Sequence, residues 1–421
     1  MQEVRVAVIG LGMISHRHMV VYDEINKRAE QLGFRAKVVC GAEIRENVRN
    51  AWGEKYGFDE KDLYADFREM LKRDDIDTVD VCVHNNLHAS VSIAAMKAGY
   101  DVYCEKPEAS TYADAKMMIE CAEKLGRKYH VQISSLMNNQ TRMAKKMIAG
   151  GELGHLYYAN LTMVSRRRRP GYDLPDFTTD FYTKKVSGHG PLIDLGIYLI
   201  SQLLFVMGMP ELKSVSGFAT QGMELDRRLI KDPEGFTVED LGCGLVKFED
   251  GLNFQVLGTS AANIDDHMKD YILGSRGGLE IHNADTTGGP FAASLLGNAA
   301  ALMGGDPALT FRGMMDGRDN VTADLNCWEE GQADVIRDPG LMLYDDNQAM
   351  WLAYKLGIMD DTTRYNTPKI AADMLKLTDG LFLSSELGRE VTAEEIEAMS
   401  KSMAITDQDT PFGMIRYDLS F

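Results

Sequence analysis

The sequence is poor in basic residues and contains no long apolar run. It carries 45 Lys and Arg against 63 Asp and Glu, a formal net charge of -18 at pH 7. Such a surface repels nucleic acid backbones and anionic lipid, so we expect neither nucleic acid nor a membrane as a partner. Because no stretch of about 18 consecutive apolar residues occurs, we expect no membrane-spanning helix.

Cysteine is scarce, and the six residues are scattered without the short paired spacings of zinc sites or secreted disulfide frameworks. The N-terminus enters an apolar strand pattern directly at residues 3–6, which leaves no room for a signal peptide. We therefore expect free thiols, no metal and a cytoplasmic location.

The chain length and the pattern of apolar residues predict two domains. A chain of 421 residues exceeds the size at which one core keeps growing. Residues 4 to about 134 alternate short β-branched runs with helical patterns, which predicts a doubly wound parallel sheet in a dinucleotide-binding domain over 1–135. The predicted strands are Val4–Ile9, Ala36–Ala42, Thr78–Val83, Asp101–Glu105 and Tyr129–Ser134, and the predicted helices include Val48–Tyr56, Ala89–Ala98 and Tyr112–Leu125.

Beyond about residue 150, longer alternating runs predict a different sheet within a domain over 136–421. The turn Glu249-Asp250-Gly251 is a hairpin signal, so this sheet should be antiparallel. The predicted strands are Leu156–Ser165, Lys213–Thr220, Leu241–Phe248 and Leu252–Thr259, and the predicted helices are Pro191–Met207, Asn347–Leu356 and Pro368–Leu387. Residues 283–340 are interpreted as loops or an insertion, and helices over 366–388 are candidates to pack back on the first domain.

A glycine-rich turn follows the first predicted strand and opens a helix, the context in which this fingerprint binds dinucleotides. It reads Gly10-Leu11-Gly12-Met13-Ile14-Ser15. Gly10 permits the tight turn, and Gly12 lets backbone amides approach a pyrophosphate at the helix N-terminus. Ser15 stands where a third glycine is usual.

The next strand ends in Glu43, whose carboxylate can accept both ribose hydroxyls of adenosine while repelling a 2′-phosphate. Glu43 therefore predicts NAD rather than NADP. The alternative is a solvated loop carboxylate, and Arg45 and Arg49 nearby could still admit a phosphate.

Three further motifs occur in order along the chain. They are Asn85-Asn86-Leu87-His88, Cys104-Glu105-Lys106-Pro107, and the glycine-rich segment 187–198 that ends in Tyr198. Together they resemble the glucose-fructose oxidoreductase, inositol dehydrogenase and rhizopine catabolism (Gfo/Idh/MocA) family. Two departures are Val83-His84 where Thr-Pro is usual, and Tyr198 where most members carry histidine.

The resemblance runs from residue 4 to about 280 and resumes at 345–395. It implies a Rossmann domain followed by an α+β domain with a large open, mostly antiparallel sheet, often used to form homodimers or homotetramers. It also implies NAD as the cofactor. The implied cofactor-binding residues are Gly10, Gly12, Met13, Ile14, Glu43, Asn85, His88, Glu105 and Lys106.

Asp194 and Tyr198 lie four residues apart on a predicted helix, so both should project from one face. The resemblance implies that Lys106 faces them. Oxidising a secondary alcohol requires a base for the hydroxyl proton. A tyrosine with a pKa of ~10 is too weakly ionised, but a neighbouring ammonium lowers that pKa. We therefore predict Lys106, Asp194 and Tyr198 as the catalytic set, with Tyr198 as acid/base and Asp194 binding substrate or holding Lys106.

Other side chains have two interpretations each. His189 interrupts the glycine run and could contact substrate or replace Tyr198 as acid/base, or simply cap or pack. His88 is expected to cap its helix. One or two arginines of the run Arg166-Arg167-Arg168-Arg169 could clamp an anionic substrate group or bridge to another subunit, or the run could be a solvated strand end. The predicted substrate-binding residues are Lys106, Arg166, His189, Asp194 and Tyr198.

The sequence thus predicts an NAD-dependent oxidoreductase that transfers hydride between nicotinamide and a hydroxyl-bearing carbon of a sugar, polyol or glycoside. Two alternatives belong to the same resemblance. One is a glycosidase that uses transient oxidation and elimination, and the other is a sugar-sugar oxidoreductase with tightly bound cofactor. A dinucleotide-sensing protein without catalysis is a third, which the intact catalytic set disfavours.

Overall fold

The computed structural model describes residues 1–137, 139–174, 178–226, 235–264, 269–282, 308–315, 319–326, 346–358 and 366–421. By their contacts, the described residues divide into two compact units. The first unit draws on Met1–Ser134, Pro339–Ala372 and Lys401–Phe421, and the second on Ser135–Asp338 and Asp373–Ser400.

The first unit is built on a parallel sheet. Its strands are β1 (Gln2–Ile9), β2 (Phe34–Ala42), β3 (Leu63–Tyr64), β4 (Thr78–Val81), β5 (Asp101–Cys104) and β6 (Tyr129–Val131), in the order β3-β2-β1-β4-β5-β6 with every pair parallel. The helices between them are α1 (Met13–Lys27), α2 (Ala29–Leu32), α3 (Glu46–Tyr56), α4 (Phe67–Met70), α5 (Asn85–Lys97) and α6 (Tyr112–Leu125). The predicted doubly wound sheet is confirmed.

Local chemistry accounts for these elements. Every residue of β4 and β5 is buried, as expected for parallel strands covered on both faces. Helices α3 and α6 end at Gly57 and Gly126 in the left-handed conformation, which glycine adopts without steric cost. The sequence analysis did not predict β3, because two residues are too few to show a periodicity.

The second unit is built on a nine-stranded sheet. Eight strands come from its first segment: β7 (Leu156–Val164), β8 (Leu212–Thr220), β9 (Leu241–Phe248), β10 (Asn253–Thr259), β11 (Asp270–Gly274), β12 (Gly277–His282), β13 (Ala308–Met315) and β14 (Asp319–Asn326). The helices there are α7 (Asn139–Ala149), α8 (Lys184–Ser187), α9 (Pro191–Asp194) and α10 (Gly196–Val206). Among the described strands of this sheet, only β7 and β10 pair in parallel, so the mostly antiparallel sheet is confirmed.

Part of the predicted insertion belongs to this sheet. Strands β13 and β14 form an antiparallel pair that extends the sheet beyond β12. Their sequences alternate weakly between apolar and polar residues, which a strand near a sheet edge tolerates and which hid them from the pattern analysis. Residues 283–307 and 327–340 of that predicted insertion lie outside the described residues.

The helix predicted over Pro191–Met207 is in fact two helices, α9 and α10, interrupted at Leu195. The interruption lies directly before Gly196, a residue that weakens a helix because its backbone is unrestrained. Among the described helices, none is by itself long and apolar enough to cross a membrane. Only Lys184–Asp194 together with Gly196–Val206 meets those criteria, as a pair bent by 48°.

The C-terminal segments contribute to both units. Their elements are α11 (Asp346–Lys355), α12 (Thr367–Leu387), β15 (Val391–Thr392), α13 (Ala393–Met399), β16 (Asp407–Thr410) and β17 (Gly413–Arg416). Trp351 of α11 is fully buried in the core of the first unit and stacks on Tyr103. Helix α12 begins among the residues of the first unit and continues in the second. Assigning all of 136–421 to one domain was therefore incorrect, because periodicity reveals an apolar face but not the surface that covers it.

Candidate functional site

Gly10 lies at a position that only glycine can occupy. Its φ is +90°, and a Cβ there would lie 2.5 Å from the carbonyl oxygen of Cys82. The chain then enters α1 at Met13, with Gly12 as an N-cap that provides no side-chain hydrogen bond. A Cβ on Gly12 would have only the Arg45 guanidinium within 4 Å, at 3.8 Å. This open helix N-terminus fits the pyrophosphate of a dinucleotide.

Glu43 is a buried carboxylate held against the glycine loop. Its Oε2 accepts the backbone N–H of Leu11 at 3.2 Å, and its Oε1 accepts Arg45 Nε at 2.8 Å. Burial alone would raise the pKa of Glu43, but hydrogen bonds from Arg45 and Leu11 outweigh it and hold that pKa below its usual value. Arg49 donates to the Glu43 carbonyl oxygen at 2.7 Å. Glu43 is therefore anionic and not a solvated loop residue, and both nearby arginines are engaged with it.

The sheet order brings the other predicted cofactor residues to the same edge. Strands β1, β4 and β5 are parallel neighbours, so the segments that follow them meet at their carboxyl ends. The glycine loop follows β1, Asn85 begins the helix after β4, and Lys106 follows β5. Ligands of open parallel sheets bind at this edge. The structure thus places these three predicted segments together.

His88 has a different role from the predicted helix cap. Its Nδ1 lies 2.7 Å from the carbonyl oxygen of Pro107, and its Nε2 lies 3.1 Å from that of Val83. The N-cap of α5 is His84, whose side chain makes no capping bond. Burial lowers the pKa of His88. His88 therefore ties the segment after β5 to the segment after β4.

The sequence analysis missed a buried polar cluster beneath this edge. His18 of α1 lies between Asp80 of β4 and Glu105, with each ring nitrogen 2.8 Å from a carboxylate oxygen. Ser15, one turn earlier, is also buried and donates to the Gly12 carbonyl oxygen at 2.7 Å. An aspartate in the middle of a buried strand was the available signal, because unpaired carboxylates are almost never fully buried.

In the second unit, Asp194 lines a small cavity. The cavity has a volume of about 20 Å³, and its other lining residues include Arg168, Tyr182, Phe236, Glu239 and Ser260. A space of this size holds about one water molecule, or one hydroxyl group of a larger ligand. Tyr198 of α10 is half-buried and is not among the described residues that line it. The break at Leu195 means that Asp194 and Tyr198 do not share one continuous helix, contrary to the prediction.

The glycine run before α9 is shaped by Glu239. A Cβ on Gly190 would lie 2.2 Å from the Glu239 carbonyl oxygen, and the Glu239 carboxylate accepts the Gly190 N–H at 2.7 Å. His189 lies 3.4 Å from that carboxylate and stacks on Phe382 with ring centroids 3.4 Å apart. These contacts favour the packing interpretation of His189. It also lines a second cavity of about 220 Å³, so a substrate contact stays a prediction.

The arginine run divides into buried and exposed members. Arg169 is buried, its guanidinium donates two hydrogen bonds to Asp173 at 2.7 and 3.2 Å, and it lies over the ring of Tyr172. Arg168 and Arg169 both line the Asp194 cavity, but the Arg169 guanidinium is already paired with Asp173. Arg166 is exposed. Arg169 is therefore structural. The geometry favours Arg168 over the predicted Arg166 for a substrate contact.

Two segments of the chain match one family of oxidoreductases. Residues 4–133 match the oxidoreductase family with an NAD-binding Rossmann fold, and residues 141–280 match the GFO/IDH/MocA C-terminal domain. The first unit is thus an NAD-binding Rossmann domain, and its predicted cofactor is confirmed as NAD.

Individual proteins resemble the chain at lower identity. D-glucoside 3-dehydrogenase of Escherichia coli strain K12 is 29% identical over 252 residues, which are 59% of this chain and 67% of that protein. Inositol 2-dehydrogenase of Salmonella typhimurium strain LT2 is 29% identical over 177 residues, which are 42% of this chain and 48% of that protein. The chain thus spans only about half the length of the second relative. The solved structure of an NAD binding oxidoreductase from Klebsiella pneumoniae shares the fold, with a TM-score of 0.71 at 20% identity over 93% of this chain and 99% of that one.

Glu43 should set the preference for NAD over NADP. We expect the unmodified protein to bind NADH more tightly than NADPH, because a 2′-phosphate would meet an anionic, buried carboxylate. Glu43→Gln should narrow that preference by about tenfold or more, the value of one hydrogen bond to a charged group. Fluorescence titration measures the dissociation constants of NADH and NADPH. The matched control is Glu46→Gln, which changes an exposed carboxylate three residues away. Tighter binding of NADPH by the unmodified protein would contradict the assignment.

Arg168 should contribute to substrate binding more than its exposed neighbours do. Arg168→Ala should lower kcat/KM by about tenfold or more through loss of a charge-assisted hydrogen bond. Arg166→Ala and Arg167→Ala should stay within about twofold, since exposed charges are screened by solvent. Steady-state kinetics and sedimentation of each variant separate substrate binding from assembly. If all three variants keep normal kinetics and assembly, Arg166, Arg167 and Arg168 form only a solvated strand end.

Proposed function

The chain belongs to the GFO/IDH/MocA oxidoreductase family, and on that premise we propose that it is an NAD-dependent dehydrogenase of a cyclic sugar, polyol or glycoside. The observation that carries the proposal is the shared carboxyl edge of β1 and β5, where the glycine loop and Lys106 follow strands of one parallel sheet. The names D-glucoside 3-dehydrogenase and inositol 2-dehydrogenase support a ring hydroxyl as the reacting group.

We assign proton transfer to Tyr198 and substrate orientation to Asp194. When bound, NAD supplies the hydride acceptor. As the C–H bond of a secondary alcohol breaks, the hydroxyl proton passes to the tyrosinate form of Tyr198, which becomes neutral tyrosine; the positive charge of Lys106 favours that tyrosinate before the transfer. Asp194 accepts a hydrogen bond from a second hydroxyl in its cavity, and Arg168 donates one there. In the reductive direction Tyr198 returns the proton.

Net formation of NADH tests this function directly. A panel of methyl glycosides, free hexoses and inositols is incubated with NAD, and NADH absorbance and products are followed together. We expect at least one ring polyol to yield NADH in proportion to product. Product release without net NADH would contradict the dehydrogenase in favour of the glycosidase or the sugar-sugar oxidoreductase. NADH binding without turnover of any member would favour a sensor.

The proposed roles of Lys106 and Tyr198 give a sharper prediction. Tyr198→Phe should lower kcat by about 10²–10⁴-fold, the usual contribution of a general base, with NADH binding nearly unchanged. Lys106→Met should cause a comparable loss of kcat, and its residual activity should rise with pH as an unassisted tyrosine ionises. Because the two act as a unit, the double variant should be little worse than either single variant.

The matched control is Tyr157→Phe, which removes the hydroxyl of an exposed tyrosine on β7. It should leave kcat unchanged. Near-normal kcat in Tyr198→Phe together with loss of activity in His189→Ala would assign the base to His189 and exclude this mechanism.

A further inference from the structure

A buried histidine joins two carboxylates beneath the carboxyl edge of the first sheet. His18 is only 1% exposed. Its Nδ1 lies 2.8 Å from Asp80 Oδ2, and its Nε2 lies 2.8 Å from Glu105 Oε1. An ionised carboxylate can only accept hydrogen bonds, so both ring nitrogens must donate. With both carboxylates ionised, this geometry fits the doubly protonated, positively charged imidazolium.

The surroundings of the ring stabilise that charge. The titratable groups that contact the ring are Asp80, Cys82, Glu105 and Tyr103. Tyr22 donates to Asp80, and the Gln348 side chain donates to the backbone carbonyl of His18. Burial alone would lower the pKa of His18, but attraction to Asp80 and its hydrogen bonds outweigh burial and hold that pKa well above its usual value. Burial raises the pKa of the Cys82 thiol and of the Tyr22 and Tyr103 phenols, so these three stay neutral.

The second oxygen of Glu105 extends the chain of contacts to the predicted site. Glu105 Oε2 accepts the backbone N–H of Lys106 at 2.9 Å, while its other oxygen binds His18. Glu105 is buried, so solvent cannot replace either partner. Its carboxylate is thus held at both oxygens, and the backbone of Lys106 is held by the carboxylate.

We propose that His18 is a positioning residue: its imidazolium, oriented by Asp80, fixes Glu105 and through it the backbone of Lys106. The proposal rests on the proposed function only in giving Lys106 a role there. Two competing roles are open to the same cluster. His18 could be a packing residue whose charge is irrelevant, or His18, Asp80 and Cys82 could hold a metal ion, since their ligand atoms lie within 4.8 Å of one another.

The charges of the cluster distinguish positioning from packing. With one imidazolium and two carboxylates, the charge of His18, Asp80 and Glu105 sums to -1. His18→Gln leaves two facing carboxylates and a sum of -2, whereas His18→Gln with Asp80→Asn restores -1. A positioning role that depends on charge predicts that the second substitution rescues the first. A packing role predicts that two buried substitutions are worse than one.

The first experiment measures the protonation of His18 in the unmodified full-length chain. Nitrogen-15 labelled histidine gives ring resonances that can be assigned to His18 by their loss in His18→Gln. We expect both nitrogens to stay protonated above pH ~6.5, where an unperturbed histidine loses its proton. A neutral ring above about pH 7, or zinc that copurifies with the chain and is bound through Nδ1, overturns the proposal.

The second experiment measures the dissociation constant of NADH at about pH 6 and pH 8. His18→Gln should weaken NADH binding by about tenfold or more at the higher pH, the value of a charge-assisted hydrogen bond. The double variant should stay within about threefold of the unmodified protein at both values.

Two controls complete the design. His16→Gln changes a histidine of the same helix whose Nδ1 lies 2.8 Å from the Tyr56 hydroxyl, a neutral group and not a carboxylate, and it should leave the NADH constants unchanged. In a Lys106→Met background, His18→Gln should add little, because the held backbone positions the Lys106 ammonium and this background removes that ammonium. The proposal is contradicted if the double variant binds NADH no more tightly than His18→Gln does. It is also contradicted if His18→Gln weakens NADH binding as much in the Lys106→Met background as in the unmodified protein. If His18→Gln fails to fold, the resonances of the unmodified chain still decide its charge.

Neither experiment requires a substrate, so the two proposals fail separately. If the double variant restores NADH binding as expected and no ring polyol is oxidised, the dehydrogenase proposal is wrong and the positioning role stands. If NADH forms with a polyol and the double variant shows no rescue, the positioning role is wrong and the dehydrogenase stands.

Discussion

The close approach of Gly10 to the carbonyl of Cys82 determines the geometry of the nucleotide-binding unit. The two strands are already joined there, since the Cys82 N–H donates to the Ile9 carbonyl at 2.7 Å. With a Cβ at 2.5 Å from that oxygen, residue 10 and the start of α1 would have to move away from the sheet. The same movement would separate His18 from Glu105. One glycine therefore supports both the phosphate-binding turn and the buried charges beneath it.

In the second unit, too, a glycine permits a close backbone contact, here at the start of α9. Gly190 contacts the backbone of Glu239 so closely that no side chain fits, and the Glu239 carboxylate accepts its N–H. This contact sets where α9 begins and therefore where Asp194 enters its cavity. In both units, a glycine lets a backbone pass where a side chain would block it, and the polar group of the site follows within a few residues.

The sequence by itself determined the features that depend on neighbours along the chain. Apolar runs between helical patterns predicted the parallel sheet, and a turn signal predicted the pairing of β9 with β10, because local backbone preferences and burial on both faces leave a direct pattern. The Gly10 turn and the Glu105-Lys106 pair were recognisable for the same reason. Each is a short motif directly after a strand, and in a parallel sheet such motifs converge at one edge.

Only the tertiary structure decided the features that join distant residues. His18 and Glu105 are 87 positions apart, and no local pattern shows that they share a hydrogen bond. Likewise, a periodic stretch reveals that α11 has an apolar face but not that Trp351 packs in the core of the first unit. Four adjacent arginines look alike in sequence, and only the structure shows that Arg169 is buried and paired with Asp173 while Arg166 is exposed. The physical reason is common to all three cases. Burial and ion pairing are properties of the surroundings that folding creates, and those surroundings come from other parts of the chain.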